Sequence, residues 1–163
     1  MFLHASHILG ALLCINAEQE IVGEYGYGQG LGLNCSLELG WNHKFTFIAS
    51  TCDGRYFENG GRWELKGGTV FLKPQEKPPQ EFMVGINTRL VPMVWNHRMY
   101  LVNELKAPAF CRGLTSEYGK SDEPDYDRTE FLRYDPVKRK PYVSKQENFV
   151  PQRFRSFVGK KKG

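Results

Sequence analysis

The chain has 163 residues, of which 40% are hydrophobic and 13% aromatic, with a net charge of +4. That length and composition encode one domain with a real core, too short for two ordinary domains and too apolar for a disordered chain. No run of 18 or more apolar residues is present, so no ordinary helical membrane span is encoded. The charge is uneven. Residues 131–163 hold ten Lys/Arg against Asp135 and Glu147, a net of +8, which leaves residues 18–130 at −4.

Residues 1–17 contain no Lys, Arg, Asp or Glu. The apolar run Ile8 to Ile15 is followed by Asn16-Ala17 and then by the polar Glu18-Gln19-Glu20. This pattern is that of a secretory signal peptide cleaved after Ala17, which places the mature protein in a secreted or periplasmic compartment. The competing reading is a first buried strand or short helix. After cleavage the chain keeps Cys35, Cys52 and Cys111. In an oxidising compartment three cysteines allow one disulfide and one free thiol, and spacing does not choose the pair. No CxxC occurs, and only His43 and His97 remain beyond the leader. Zinc-knuckle and thioredoxin-like chemistry are therefore not encoded, and no metal site or cofactor is expected.

The body begins with glycines at 26, 28, 30 and 32. Alternate residues of a strand share a face, so residues 23–33 are expected to form one strand with a bare face that a neighbour or a ligand must approach. A dinucleotide loop is excluded by spacing. GxGxxG starting at Gly26, Gly28 or Gly30 would need glycine where Leu31, Leu33 and Cys35 stand. Leu31, Leu33, Cys35, Leu37 and Leu39 then alternate with small or polar residues, a half-buried strand. The stretch 40–43 is a turn and 44–51 the answering strand. Pairing Leu39 with Lys44 would set Cys35 opposite Ile48, leaving Cys35 and Cys52 out of easy disulfide reach.

Glu58-Asn59-Gly60-Gly61 carries a strong turn signal, because Asn and Gly enter positive φ cheaply. A strand over 62–65, a turn at Gly67-Gly68 and a strand over 69–73 follow, ended by Pro74. Residues 73–80 are proline-rich and extended. Strands are expected at 81–86, 89–95 and 98–102, with Asn96-His97 as a two-residue hairpin. Trp41-Asn42-His43 and Trp95-Asn96-His97 echo each other at turns, which repeated turn chemistry explains. A short helix is expected at 103–113, with Pro108 in its first turn and Gly113 as its stop. Residues 114–129 are an acidic polar loop, and 131–134 a last short strand. From 135 to 163 the chain is basic and broken by Pro136, Pro141 and Pro151. Phe149, Phe154 and Phe157 could pin this tail to the body, and the final Lys-rich residues 159–163 are expected to be disordered. Its interleaved arginines and aromatics suit an anionic surface, an outer leaflet or polysaccharide rather than nucleic acid if the leader is a signal peptide. The plainer reading is a tail that covers its own acidic body.

These elements sum to a mainly β chain, an antiparallel up-and-down barrel of about eight strands with one short helix at one end, expected to be monomeric and, by the resemblance that follows, calycin-like. The domain plan is a leader over 1–17, a barrel over 18–134 and a basic tail over 135–163. Two blocks carry a family resemblance. Gly23 to Pro74, with Asp53-Gly54-Arg55-Tyr56, Asn59-Gly60-Gly61-Arg62-Trp63 and Leu72-Lys73-Pro74, resembles the strand–turn grammar of lipocalin-like (calycin-type) and META-like β domains of bacterial envelopes. Val91 to Trp95, Tyr100 to Val102 and Ala109 to Cys111 are similar to uncharacterised secreted bacterial proteins in which such a barrel precedes a short helix. The chain departs from the lipocalin G-x-W near the first strand, where Tyr25 stands in place of Trp. No catalytic residues carry over.

The expected function is a secreted, non-enzymatic barrel that binds a small apolar ligand or a cell-envelope partner, with Tyr25, Tyr27, Trp63 and Trp95 as candidate liners. The alternative is a hydrolase using distant carboxylates or a free cysteine, Cys52 or Cys111, near His43 or His97.

Overall fold

The structure, a computed structural model, describes residues 19–29, 33–54, 56–75, 88–114 and 130–159. The expected leader 1–17, the strand 81–86, most of the acidic loop and the last lysines lie outside these residues. Nine strands follow in chain order: β1 Gly23–Gln29, β2 Leu33–Leu39, β3 Lys44–Thr51, β4 Tyr56–Lys66, β5 Thr69–Pro74, β6 Arg89–Trp95, β7 Arg98–Asn103, β8 Phe131–Asp135 and β9 Lys140–Pro141. Each pairs antiparallel with the next, and β8 returns to β1 with Glu24 opposite Tyr134. The first eight strands therefore close into a barrel, and β9 is a short addition beside β8. Closure removes the unpaired edges that an open sheet would present.

The register corrects three expectations. Residues 23–33 do not form one strand. β1 ends at Gln29, which faces Leu33 of β2, so the chain reverses between them. Alternating glycines are compatible with a strand or with a tight reversal, and the period alone does not separate them. Asn59, Gly60 and Gly61 form no turn either; they lie inside the 11-residue β4. There β4 passes from pairing with β3 to pairing with β5, and Gly61 faces both Phe45 and Pro74. A Cβ on Gly61 would fall 2.1 Å from the Lys73 carbonyl oxygen and 2.8 Å from Phe45 Cε1, so close backbone approach is what needs glycine. Finally, Leu39 faces Phe45 rather than Lys44, which sets Cys35 against Ala49 rather than Ile48.

The β6–β7 turn forms as expected, with Asn96 and His97 both left-handed at φ 49° and 61°. The helix is shorter than its pattern, Ala107–Gly113, with Pro108 in its first turn. Asn103 belongs to β7, and its side chain accepts from the Leu105 N–H at 2.9 Å, turning the chain before the helix starts.

Two apolar clusters hold the fold. The first lies inside the barrel and includes Tyr25, Leu37, Leu39, Phe45, Phe47, Trp63, Leu101 and Phe131. The second lies outside the barrel, on the outer face of β6 and β7, where Val91, Met93, Tyr100 and Val102 meet the helix through Ala107 and Cys111 and the tail through Val150 and Phe154. Residues 90–94 and 99–103 are consequently buried on both faces, and all of them but Asn103 are apolar. The tail is strapped on by backbone pairing of Val94 with Phe149 and Arg98 with Val143. Arg153 completes the strap, reaching Glu104 at 3.1 Å and the Gly67 carbonyl at 3.2 Å.

Candidate functional site

One end of the barrel is closed by side chains. Helical residues 19–21 lead into β1, and Ile21 is buried in the interior cluster. The Tyr25 phenol donates to the Ile21 carbonyl and lies 3.7 Å from Met99 Sδ. Arg133 is the cross-strand partner of Tyr25. Its guanidinium donates to the Glu20 carbonyl and stacks 3.7 Å above the Tyr142 ring. Gly23 is required here, since a Cβ would sit 2.8 Å from Arg133 Nε and the residue has φ +149°. Burial pushes the Tyr25 phenol well above its ordinary pKa, with the Arg133 charge opposing. Beside this plug Trp63 donates from Nε1 to the Gly40 carbonyl at 3.0 Å and packs on His43, ring centroids 5.0 Å apart.

Away from the plug the inward side chains shrink. Along β2 they run Leu39, Leu37, Cys35, and along β3 Phe45, Phe47, Ala49, all buried. Cys35 and Ala49 face each other, and Phe57 of β4, opposite Ala49, is only partly buried. A single polar side chain, Asn59, stands on the inward face of β4 opposite Phe47 and is 5% exposed. On β2 and β3 the wall is thus bulky at the closed end and small further in, while β4 runs Gly61, Asn59, Phe57, with one amide set among apolar neighbours.

The candidate liners fall in different places. Tyr25 and Trp63 belong to the packed plug. The Tyr27 backbone faces Cys35 on the wall, and its side chain lies outside the described residues. Trp95 is on the outer side of β6, packed against the second cluster. Cys35 and Cys111 are buried, Cys52 is exposed, and no disulfide joins the three. Cys111 Sγ lies 3.8 Å from Met93 Sδ, and burial pushes its thiol up, away from the thiolate a nucleophile needs. His97 Nδ1 sits 3.2 Å from the Ser144 carbonyl oxygen, while His43 is against Trp63. Among the described residues no group of three or more potential ligands could hold a metal ion.

The bare face of β1 points outward. Gly26 floors a surface groove of about 330 Å³ lined also by Glu24, Ser36, Glu38, Thr46 and Ile48. Glu24 and Glu38 are direct cross-strand partners, so two like charges are held side by side. Only the register brings them together, and no spacing in the sequence announces it.

No family model, no curated protein and no solved structure matches this chain.

Proposed function

We propose that the protein is a secreted, non-enzymatic β-barrel of lipocalin-like type that binds a small apolar ligand inside its barrel, beyond the closed end. The observation that carries the reading is the gradient along β2 and β3 of the inward wall, from Leu39, Phe45 and Phe47 to Cys35 and Ala49, with the Asn59 amide opposite Phe47. Ligand pockets are mostly apolar, with a few placed polar groups that fix orientation. Eight-stranded barrels are wide enough to hold one small ligand. Tyr25 and Trp63 then serve as the floor, and the Arg133–Tyr142 stack seals it from water. Secretion is compatible with this closure. Cleavage after Ala17 would leave Glu20 and Ile21, which make the sealing contacts, in the mature chain.

The test is titration of an environment-sensitive fluorescent fatty acid against the protein and against Ala49→Leu. Saturable binding near one per chain is expected, weakened about tenfold or more in Ala49→Leu while that variant still melts cooperatively. No saturable binding, or equal binding by a folded Ala49→Leu, overturns the reading.

A further inference from the structure

The end of the barrel beside the plug presents two turns to solvent, each with a large exposed apolar side chain. The β2–β3 turn carries Trp41, which is 67% exposed, and the β8–β9 turn carries Val137, which is 90% exposed. Trp41 and Pro136 line one groove, so the two turns are neighbours. Lys138, Arg139 and Lys140 follow Val137 directly, all exposed. Large apolar side chains at turn tips are out of place in water, and here they sit beside a run of three cations.

The β8–β9 turn is also built stiffly. The Asp135 carboxylate accepts from the Val137 and Lys138 N–H groups at 3.1 and 3.0 Å and meets Lys138 Nζ at 3.3 Å. Arg139 is held left-handed at φ 52°, a conformation that costs a side-chain-bearing residue roughly 1–2 kcal/mol. Glycine or asparagine would close this turn more cheaply, so a cation is kept at the tip against backbone preference. Among the described residues Arg139 and Lys140 make no ion pair, which leaves both charges facing out.

We propose that these two turns form a docking surface for an anionic lipid bilayer, with Trp41 and Val137 entering the headgroup region and Lys138, Arg139 and Lys140 meeting the lipid phosphates. Tryptophan suits that boundary, because its ring is apolar and its N–H can stay wet. Each Lys or Arg near an anionic leaflet adds about 1 kcal/mol of attraction. Glu24, Glu38 and Asp135 also line the groove between the turns, so contact is confined to the turn tips and the barrel body stays out of the membrane. An anionic polymer would use the cations and leave Trp41 and Val137 unexplained.

The test is co-sedimentation of protein isolated from its native compartment with vesicles of phosphatidylglycerol and phosphatidylcholine, read alongside tryptophan fluorescence. Binding to the anionic vesicles, a blue shift lost in Trp41→Phe, and little binding to zwitterionic vesicles are expected. Lys138→Gln/Arg139→Gln/Lys140→Gln should weaken partition on the order of 100-fold, and Val137→Asp should weaken it at unchanged thermal stability. Equal binding to both vesicle types overturns the proposal, as does an unshifted Trp41. It is overturned equally if Lys160→Gln/Lys161→Gln/Lys162→Gln abolishes binding while the turn variants do not, or if heparin is bound and vesicles are not.

Discussion

Replacing Gly26 and Gly61 by alanine should have opposite effects, although sequence alone makes Gly26 look the more constrained. At Gly26 the nearest described atom to an added Cβ is the Cys35 carbonyl oxygen at 3.8 Å, an ordinary contact on an open outer face. Glycine inside a strand is worth roughly 0.5–1 kcal/mol less than alanine, so Gly26→Ala should be neutral or stabilising by up to about 1 kcal/mol. At Gly61 the added atom would overlap the Lys73 carbonyl at 2.1 Å and crowd Phe45 at 2.8 Å. The first clash is with backbone in a β4–β5 ladder and cannot be relieved by a rotamer change. Overpacking of this kind costs about 3 kcal/mol or more, a large fraction of an ordinary domain's stability. For a chain of this size that is a fall in Tm of roughly 6–12 °C. Thermal unfolding followed by circular dichroism, with urea denaturation for the free energies, measures both. A cost below about 1 kcal/mol for Gly61→Ala, or above about 2 kcal/mol for Gly26→Ala, would refute the reasoning.

Three further outcomes follow from the closed end and the thiols. Arg133→Met keeps the apolar stem but removes the donor to Glu20 and the charge over Tyr142, and should cost about 2–4 kcal/mol by urea denaturation; a loss under about 1 kcal/mol would mean the closure contributes little. Tyr25 has its phenol pKa raised by burial, so its contribution to stability is complete below the unfolded value near 10 and is lost as pH rises toward the folded value. Absorbance titration at alkaline pH should therefore show a tyrosine ionisation step that coincides with cooperative unfolding, and Tyr25→Phe should remove that step. Of Cys35, Cys52 and Cys111, only Cys52 should react promptly with a disulfide reagent in the native protein, and the other two should follow at the unfolding rate.

Much of the barrel was legible because its signals are local. The alternation from Leu33 to Leu39, the Gly67-Gly68 turn and the Asn96-His97 hairpin each declare themselves within a few residues. What sequence missed depends on partners distant in the chain. Asn59-Gly60-Gly61 carries turn chemistry, but its glycines answer to Phe45 and Lys73, which no local pattern reveals. The reversal inside 23–33 was hidden because alternating glycines satisfy a strand period and a turn equally. Of the candidate site, Tyr25 and Trp63 face inward as their alternation implies. Trp95 faces outward, because β6 is apolar on both sides and alternation cannot choose its inner face. The pairing of Glu24 with Glu38, and the meeting of Trp41 with Pro136, required the register and the closure.

The strap over β6 and β7 sets an order of events for synthesis. Phe149 bonds to Val94 through both backbone groups, and Val150 and Phe154 supply part of the cover over Met93 and Tyr100. Closure of the wall likewise waits for Tyr134 to reach Glu24. A ribosome that has released only the first hundred residues has therefore completed β1 to β6 and none of their final cover. The nascent barrel stays an open sheet until β8 has emerged, and its apolar outer patch stays uncovered until residues 149–154 follow. A stop codon placed before residue 149 should accordingly yield an aggregating chain rather than a smaller barrel.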